Sequence, residues 1–150
     1  MKNIFDLKET NTIIDRINKL DSSTKQLWGK MSVDQMLAHC NVPYEMVFED
    51  VHPKPGGFVK FMLKLFVKPT VVNEKPYKKN GRTAPAFLIT DTKNFEIEKE
   101  RLVNYLKKTQ DLGENYFEGR ESHSFGKLAK NEWNNMFYKH LDHHLGQFGV

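Results

Sequence analysis

Residues 28–39 read Trp28-Gly29-Lys30-Met31-Ser32-Val33-Asp34-Gln35-Met36-Leu37-Ala38-His39, and a later stretch, Gly126-Lys127-Leu128-Ala129 followed by Glu132-Trp133, repeats their grammar. In the first, Ser32 with Gln35 three residues on has capping-box form, a side-chain acceptor at the helix start and a side chain reaching back to it. Met36, Leu37, Tyr44 and Val47 then recur at helical spacing, which predicts a helix from Val33 to Phe48 with Pro43 inside it as a site for a kink. The echo places another helix start after Leu128, with Trp133, Met136, Phe137, His140 and His144 along one face. It spans only about eight positions, too few for a repeat of domain size.

Two further helices complete the pattern. Asp6 with Glu9 forms another capping-box signature, and Ile13, Ile14, Ile17 and Leu20 follow at helical spacing, ending near Leu20. From Phe95 to Lys108, Ile97, Leu102, Tyr105 and Leu106 alternate with Glu and Lys as in an amphipathic helix. Some 40 residues separate the second and third of these helices, where antiparallel neighbours need about 2 to 8. The spacing therefore requires a crossover, and its part from Phe58 to Val67 has a helical pattern of its own. That short helix is apolar around most of its girth, with Lys60, Lys64 and Lys68 as its polar line. It is expected to be covered on two sides, by the other helices and by a subunit interface or a lid over a ligand pocket; an anionic membrane surface is the lesser alternative. Residues 71–85, with Pro76, Asn80, Gly81 and Pro85, read as loop.

Composition limits the function classes. With 150 residues and 39% hydrophobic content the chain suits one domain spanning residues 1–150. A single cysteine, Cys40, excludes a disulfide framework within the chain and points to a reducing cytoplasm, and Cys40 itself reads as a small buried residue. The first residues have no secretory-signal pattern and no window reaches the roughly 18 apolar residues of a membrane span. The net charge is +4, but residues 54–82 hold eight basic residues against Glu74 alone, so that segment carries +7 and the remainder −3. Such an excess attracts anions of many kinds or is a solvated lysine surface. Nucleic acid is disfavoured, because there is no reading motif and only four of the 23 basic residues are arginine.

The chemistry-bearing cluster lies at the C-terminus, where Tyr138-Lys139-His140-Leu141-Asp142-His143-His144 puts three of six histidines within five residues. His140 and His144, four apart, share one helical face about 6 Å apart and can present two imidazoles to one ion. His143 competes with His144, because a spacing of three also shares a face. The other reading is a histidine-rich helix end that stabilises the helix dipole without metal. His39, inside the second helix and near its inward side, is the natural third ligand, or else a hydrogen-bonded core histidine. Three imidazoles with an open position suit a catalytic divalent metal. Leu141 stands where the helical zincin motif has its glutamate, so metalloprotease chemistry is disfavoured. Asp142 falls opposite His140, and His52 and His123, in Pro- and Ser-containing connections, are expected at the surface.

The Trp28, Gly-Lys-Met-Ser and Met-Leu-Ala-His elements, with the C-terminal Trp133, Tyr-Lys-His-Leu-Asp-His-His-Leu and Gly-Gln-Phe, resemble the DinB/YfiT-like superfamily, within it a branch catalogued as a domain of unknown function. The resemblance implies an all-α fold, a four-helix bundle with a long crossover, containing an extra short helix, between helices two and three. It also implies a nickel or zinc ion on His39, His140 and His144. Two departures stand out: Ala129 replaces a serine cap, and Val42 and Pro43 occupy the places where relatives carry an aspartate.

The implied activity is thiol-dependent S-transfer, with a low-molecular-weight thiol as co-substrate, or metal-assisted hydrolysis of a small-molecule substrate. Lys79 and Arg82 are candidates to clamp an acidic thiol. Tyr44, Glu45 and His143 are candidates for a general base. The alternative is a non-catalytic dimeric binding or stress-response module with structural histidines, a homodimer through residues 58–67.

Overall fold

In the computed structural model, which describes residues 1–150 throughout, the chain is mostly helical with one small two-stranded sheet. The elements in order are α1 (Leu7–Asn18), α2 (Val33–Phe48), α3 (Gly57–Met62), a π-helical turn (Leu63–Val67), α4 (Lys68–Val72), a 3-10 turn (Pro85–Phe87), α5 (Phe95–Phe117), β1 (Arg120–Ser122), β2 (Gly126–Leu128) and α6 (Lys130–Gln147). α1, α2, α5 and α6 contribute to one hydrophobic core, in which Ile17, Met36, Leu37, Leu106, Trp133 and Phe137 are buried.

α2 has the predicted limits. Gln35 Oε1 accepts from the Ser32 backbone N–H at 3.1 Å, and the helix runs unbroken through Pro43. Pro43 has no N–H to give to the His39 carbonyl one turn back. The α1 signature is half fulfilled: Asp6 Oδ1 accepts from the Lys8 and Glu9 N–H groups, but Glu9 reaches Lys2 Nζ (3.1 Å) instead of closing the box. α6 starts like α2 despite its alanine cap, because Glu132 Oε2 accepts from the Ala129 N–H at 3.0 Å.

The third long helix differs from its sequence reading in two respects. It continues past Lys108 to Phe117, with a break at Gly113, whose φ of +69° only glycine adopts without strain. Ile97 is 54% exposed, and Glu98 is buried in its stead. Glu98 tolerates the interior because its Oε2 accepts from Asn41 Nδ2 (2.8 Å) and Arg101 Nη1 (2.9 Å). Sequence periodicity carries no sign of such partners.

The hairpin is an addition to the all-α expectation. β1 and β2 pair antiparallel, with Arg120 opposite Leu128 and Ser122 opposite Gly126. Three-residue strands are too short for alternation to announce them. His123, in this hairpin, is half-buried and its Nε2 lies 3.4 Å from the His52 carbonyl. His52 is half-buried too, 2.7 Å from Glu45 Oε2, so both histidines depart from the expected surface placement.

The crossover contains the extra helical segment, extended to Val72, so Val71 and Val72 are helical and the loop is shorter than read. α4 packs on α6, held by Lys68 to Glu132 (2.8 Å) and Asn135 Nδ2 to the Val72 carbonyl (2.9 Å). The outer face of α3 and the π turn is exposed, contrary to the cover expected on two sides. No helix is long and apolar enough to cross a membrane.

Candidate metal centre

α2 and α6 pack so that His39 meets His140 and His144. Their ring centroids lie 4.8, 4.4 and 4.8 Å apart (His39–His140, His39–His144, His140–His144). His39 and His144 are buried, and His140 is half-buried. The ligating atoms of all three fall within 4.8 Å of one another, with His39 Nε2 and His140 Nε2 2.9 Å apart. An ion bound tetrahedrally at about 2.1 Å from each imidazole sets its nitrogens about 3.4 Å apart, within that bracket. The three histidines can hold a metal ion.

Two of the rings are oriented through their far nitrogens. The Phe87 carbonyl accepts from His39 Nδ1–H at 2.8 Å, which leaves Nε2 as the lone-pair nitrogen. Gln147 does the same for His144. Its Nε2 donates to the Trp28 carbonyl at 2.8 Å, so its Oε1 must accept from His144 Nδ1–H at 2.9 Å. Such outer bonds fix tautomer and ring plane in metal-ligating histidines. Gly29 favours this arrangement, because its φ is +84° and a Cβ there would stand 2.3 Å from Gln147 Nε2 and push the amide aside.

The electrostatics match. Burial pushes the His39 pKa down, that of His140 well down and that of His144 to about 3. Neighbouring imidazoles add to the effect at His140 and His144. All three are therefore neutral at pH 7 and available as ligands. No carboxylate joins the cluster, so the donor set is all imidazole.

His143 lies beside the trio, not in it. Its ring packs on Trp28 (4.7 Å), Tyr77 (5.6 Å) and His144 (5.0 Å), and burial lowers its pKa. Phe87 flanks the other side, 5.5 Å from His39 and 5.9 Å from His140. Lys79 Nζ stands 5.8 Å from the Trp28 ring, at the edge of this aromatic group. Arg82 is exposed. Tyr44 lies in the core, stacked on Phe137 (4.7 Å) and Tyr105 (5.7 Å), and burial raises its pKa well above that of a free phenol. Glu45 is engaged by Arg101 (2.5 Å) and His52 (2.7 Å). The contacts of Tyr44 thus run to the core, and those of Glu45 to α5 and to His52. Cys40 is buried, as expected, and its thiol pKa is raised by burial.

Sequence reading missed the roles of Phe87, Gln147 and Tyr77. For Gln147 a signal exists, the i, i+3 spacing from His144 on one helical face. Phe87 acts through its carbonyl, which no side-chain pattern reveals.

Over residues 2–149 the chain matches the family described as "Protein of unknown function (DUF1569)", and it belongs to that family. No curated protein and no solved structure matches it.

Proposed function

We propose that this member of the DUF1569 family is a DinB/YfiT-like protein, a single four-helix-bundle domain whose His39, His140 and His144 hold one nickel or zinc ion for catalysis on a small molecule. The convergence of three neutral imidazoles, two of them oriented through Nδ1, is the observation that supports this reading best. Bound there, a divalent ion supplies Lewis acidity that lowers the pKa of a thiol or water. Thiol-dependent S-transfer is the reaction preferred, with metal-assisted hydrolysis second.

The residues of the chain have distinct parts in this reading. Phe87, Trp28 and Tyr77 give the histidines apolar walls that limit water and receive the body of a substrate. His143, neutral at pH 7, takes up a proton beside the trio. Lys79, over Trp28, and Arg82 on the same basic crossover attract the carboxylates of an acidic thiol.

The test is metal counting on untagged protein by elemental analysis, wild type beside His39→Ala and His140→Ala. About one nickel or zinc per chain, lost in both variants, is expected. No metal after incubation with both ions would overturn the proposal.

A further inference from the structure

The segment from Phe58 to Val67 turns its apolar side outward. Phe58 is 77% exposed, Phe61 60%, Leu65 52% and Phe66 64%, and no residue of α3, the π turn or α4 is buried. Lys60 and Lys68 turn the other way. Lys60 Nζ meets Glu121 Oε1 on β1 at 2.6 Å, and Lys68 Nζ meets Glu132 Oε1 on α6 at 2.8 Å. The helix is thus docked through its ion pairs and presents its hydrophobic stripe to the outside, the reverse of an ordinary surface helix.

We propose that this stripe is the contact between two copies of the chain, packed antiparallel about a twofold axis near Met62. Area is the first argument. At ordinary side-chain areas the exposed apolar residues of 58–67 offer about 700 Å², close to the roughly 800 Å² per partner of a standard interface. Charge is the second. An interfacial membrane helix flanks its apolar face with free cations that meet anionic headgroups. Here Lys60 and Lys68 are already neutralised and directed inward, leaving Lys64 as the unpaired lysine of the helical segment. The same two ion pairs offset two of the seven excess positive charges that each 54–82 segment brings towards a twofold axis, and so lower the repulsion between the copies. Symmetry is the third. Large apolar side chains occupy both ends of the stripe, so antiparallel pairing brings Phe58 of one protomer to Phe66 of its partner and the surface is complementary to itself.

Sedimentation velocity at concentrations on the order of 10 µM reads the outcome. Wild type is expected to be a dimer. Phe61→Glu, at an exposed position, should leave the far-ultraviolet circular dichroism unchanged and weaken dimerisation at least about 100-fold. Met62→Cys supplies a second measurement. A residue near the axis meets its own copy, so this variant should form a disulfide-linked dimer on mild oxidation, while wild type, whose Cys40 is buried, should not. A wild-type monomer at 100 µM, as a rough upper limit, or a dimer indifferent to Phe61→Glu, would overturn the proposal. So would flotation of monomeric protein with phosphatidylserine vesicles, which would assign the stripe to a lipid surface.

Discussion

Gln147 stands between the Trp28 carbonyl and the His144 ring, and one amide therefore decides which nitrogen of His144 stays free. Gln147→Ala should leave the fold intact and lower metal affinity about 10- to 100-fold, the usual effect of removing an outer partner of a ligand. Competition with a chromophoric chelator measures it, and an unchanged affinity would deny Gln147 this role. Gly29→Ala should reproduce part of the loss, because the new Cβ displaces the same amide and the backbone at φ +84° disfavours a side chain. Helical spacing offered His140 with either His144 or His143 and put His39 near an inward face, and the resemblance to a known superfamily singled out His39, His140 and His144. Their supports were less legible. The Trp28 and Phe87 contributions are carbonyls, one in the connection before α2 and one at the end of the 3-10 turn, and side-chain identity says nothing about where a backbone oxygen points.

α6 carries two functional stripes. Trp133, Phe137, Leu141 and His144 face the core and the site, while Glu132, Asn135 and Lys139 hold the crossover. Lys139 is the strongest of these ties, because its buried Nζ donates to the Thr70 carbonyl (2.8 Å), the Asn73 carbonyl (2.6 Å) and Asn73 Oδ1 (3.0 Å) and lies 4.7 Å from the Tyr77 ring. The element continues one turn on to His143, against which Tyr77 packs. Lys139→Met keeps most of the stem but strands three acceptors, at a cost of about 1–3 kcal/mol for each acceptor that water does not reach. Hydrogen exchange should accelerate over residues 70–79 while metal stoichiometry holds; unaltered exchange there would show that the crossover is held by other contacts. Element limits were legible where long periodicity and a capping signal coincide, as in α2. They were misread where a tertiary partner overrides the pattern, as with Glu98 for Ile97, and where strands of three residues are too short to show one.

At the scale of the whole molecule, three neutral histidines gathered in one buried place make stability depend on pH. In the unfolded chain each titrates near 6.5, whereas burial holds their folded values lower, to about 3 for His144. Between those limits the unfolded state binds more protons than the folded one, so stability is fully present above about pH 6.5 and falls as the pH drops. Each group contributes at most about 1.4 kcal/mol per pH unit, and for a chain of this length 1 kcal/mol moves the Tm by about 2–4 °C. Metal-free protein should therefore lose several degrees of Tm between pH 7 and 5.5 in calorimetry. His140→Leu, which removes one of the three protonations at similar volume, should flatten that slope. Saturating metal should raise the Tm at pH 7 by mass action and make the acid dependence steeper, because protons and the ion compete for the same nitrogens. A wild-type Tm constant over this range without metal would mean that the imidazoles are hydrated, and the neutral, pre-formed donor set on which the metal reading rests would be lost with it.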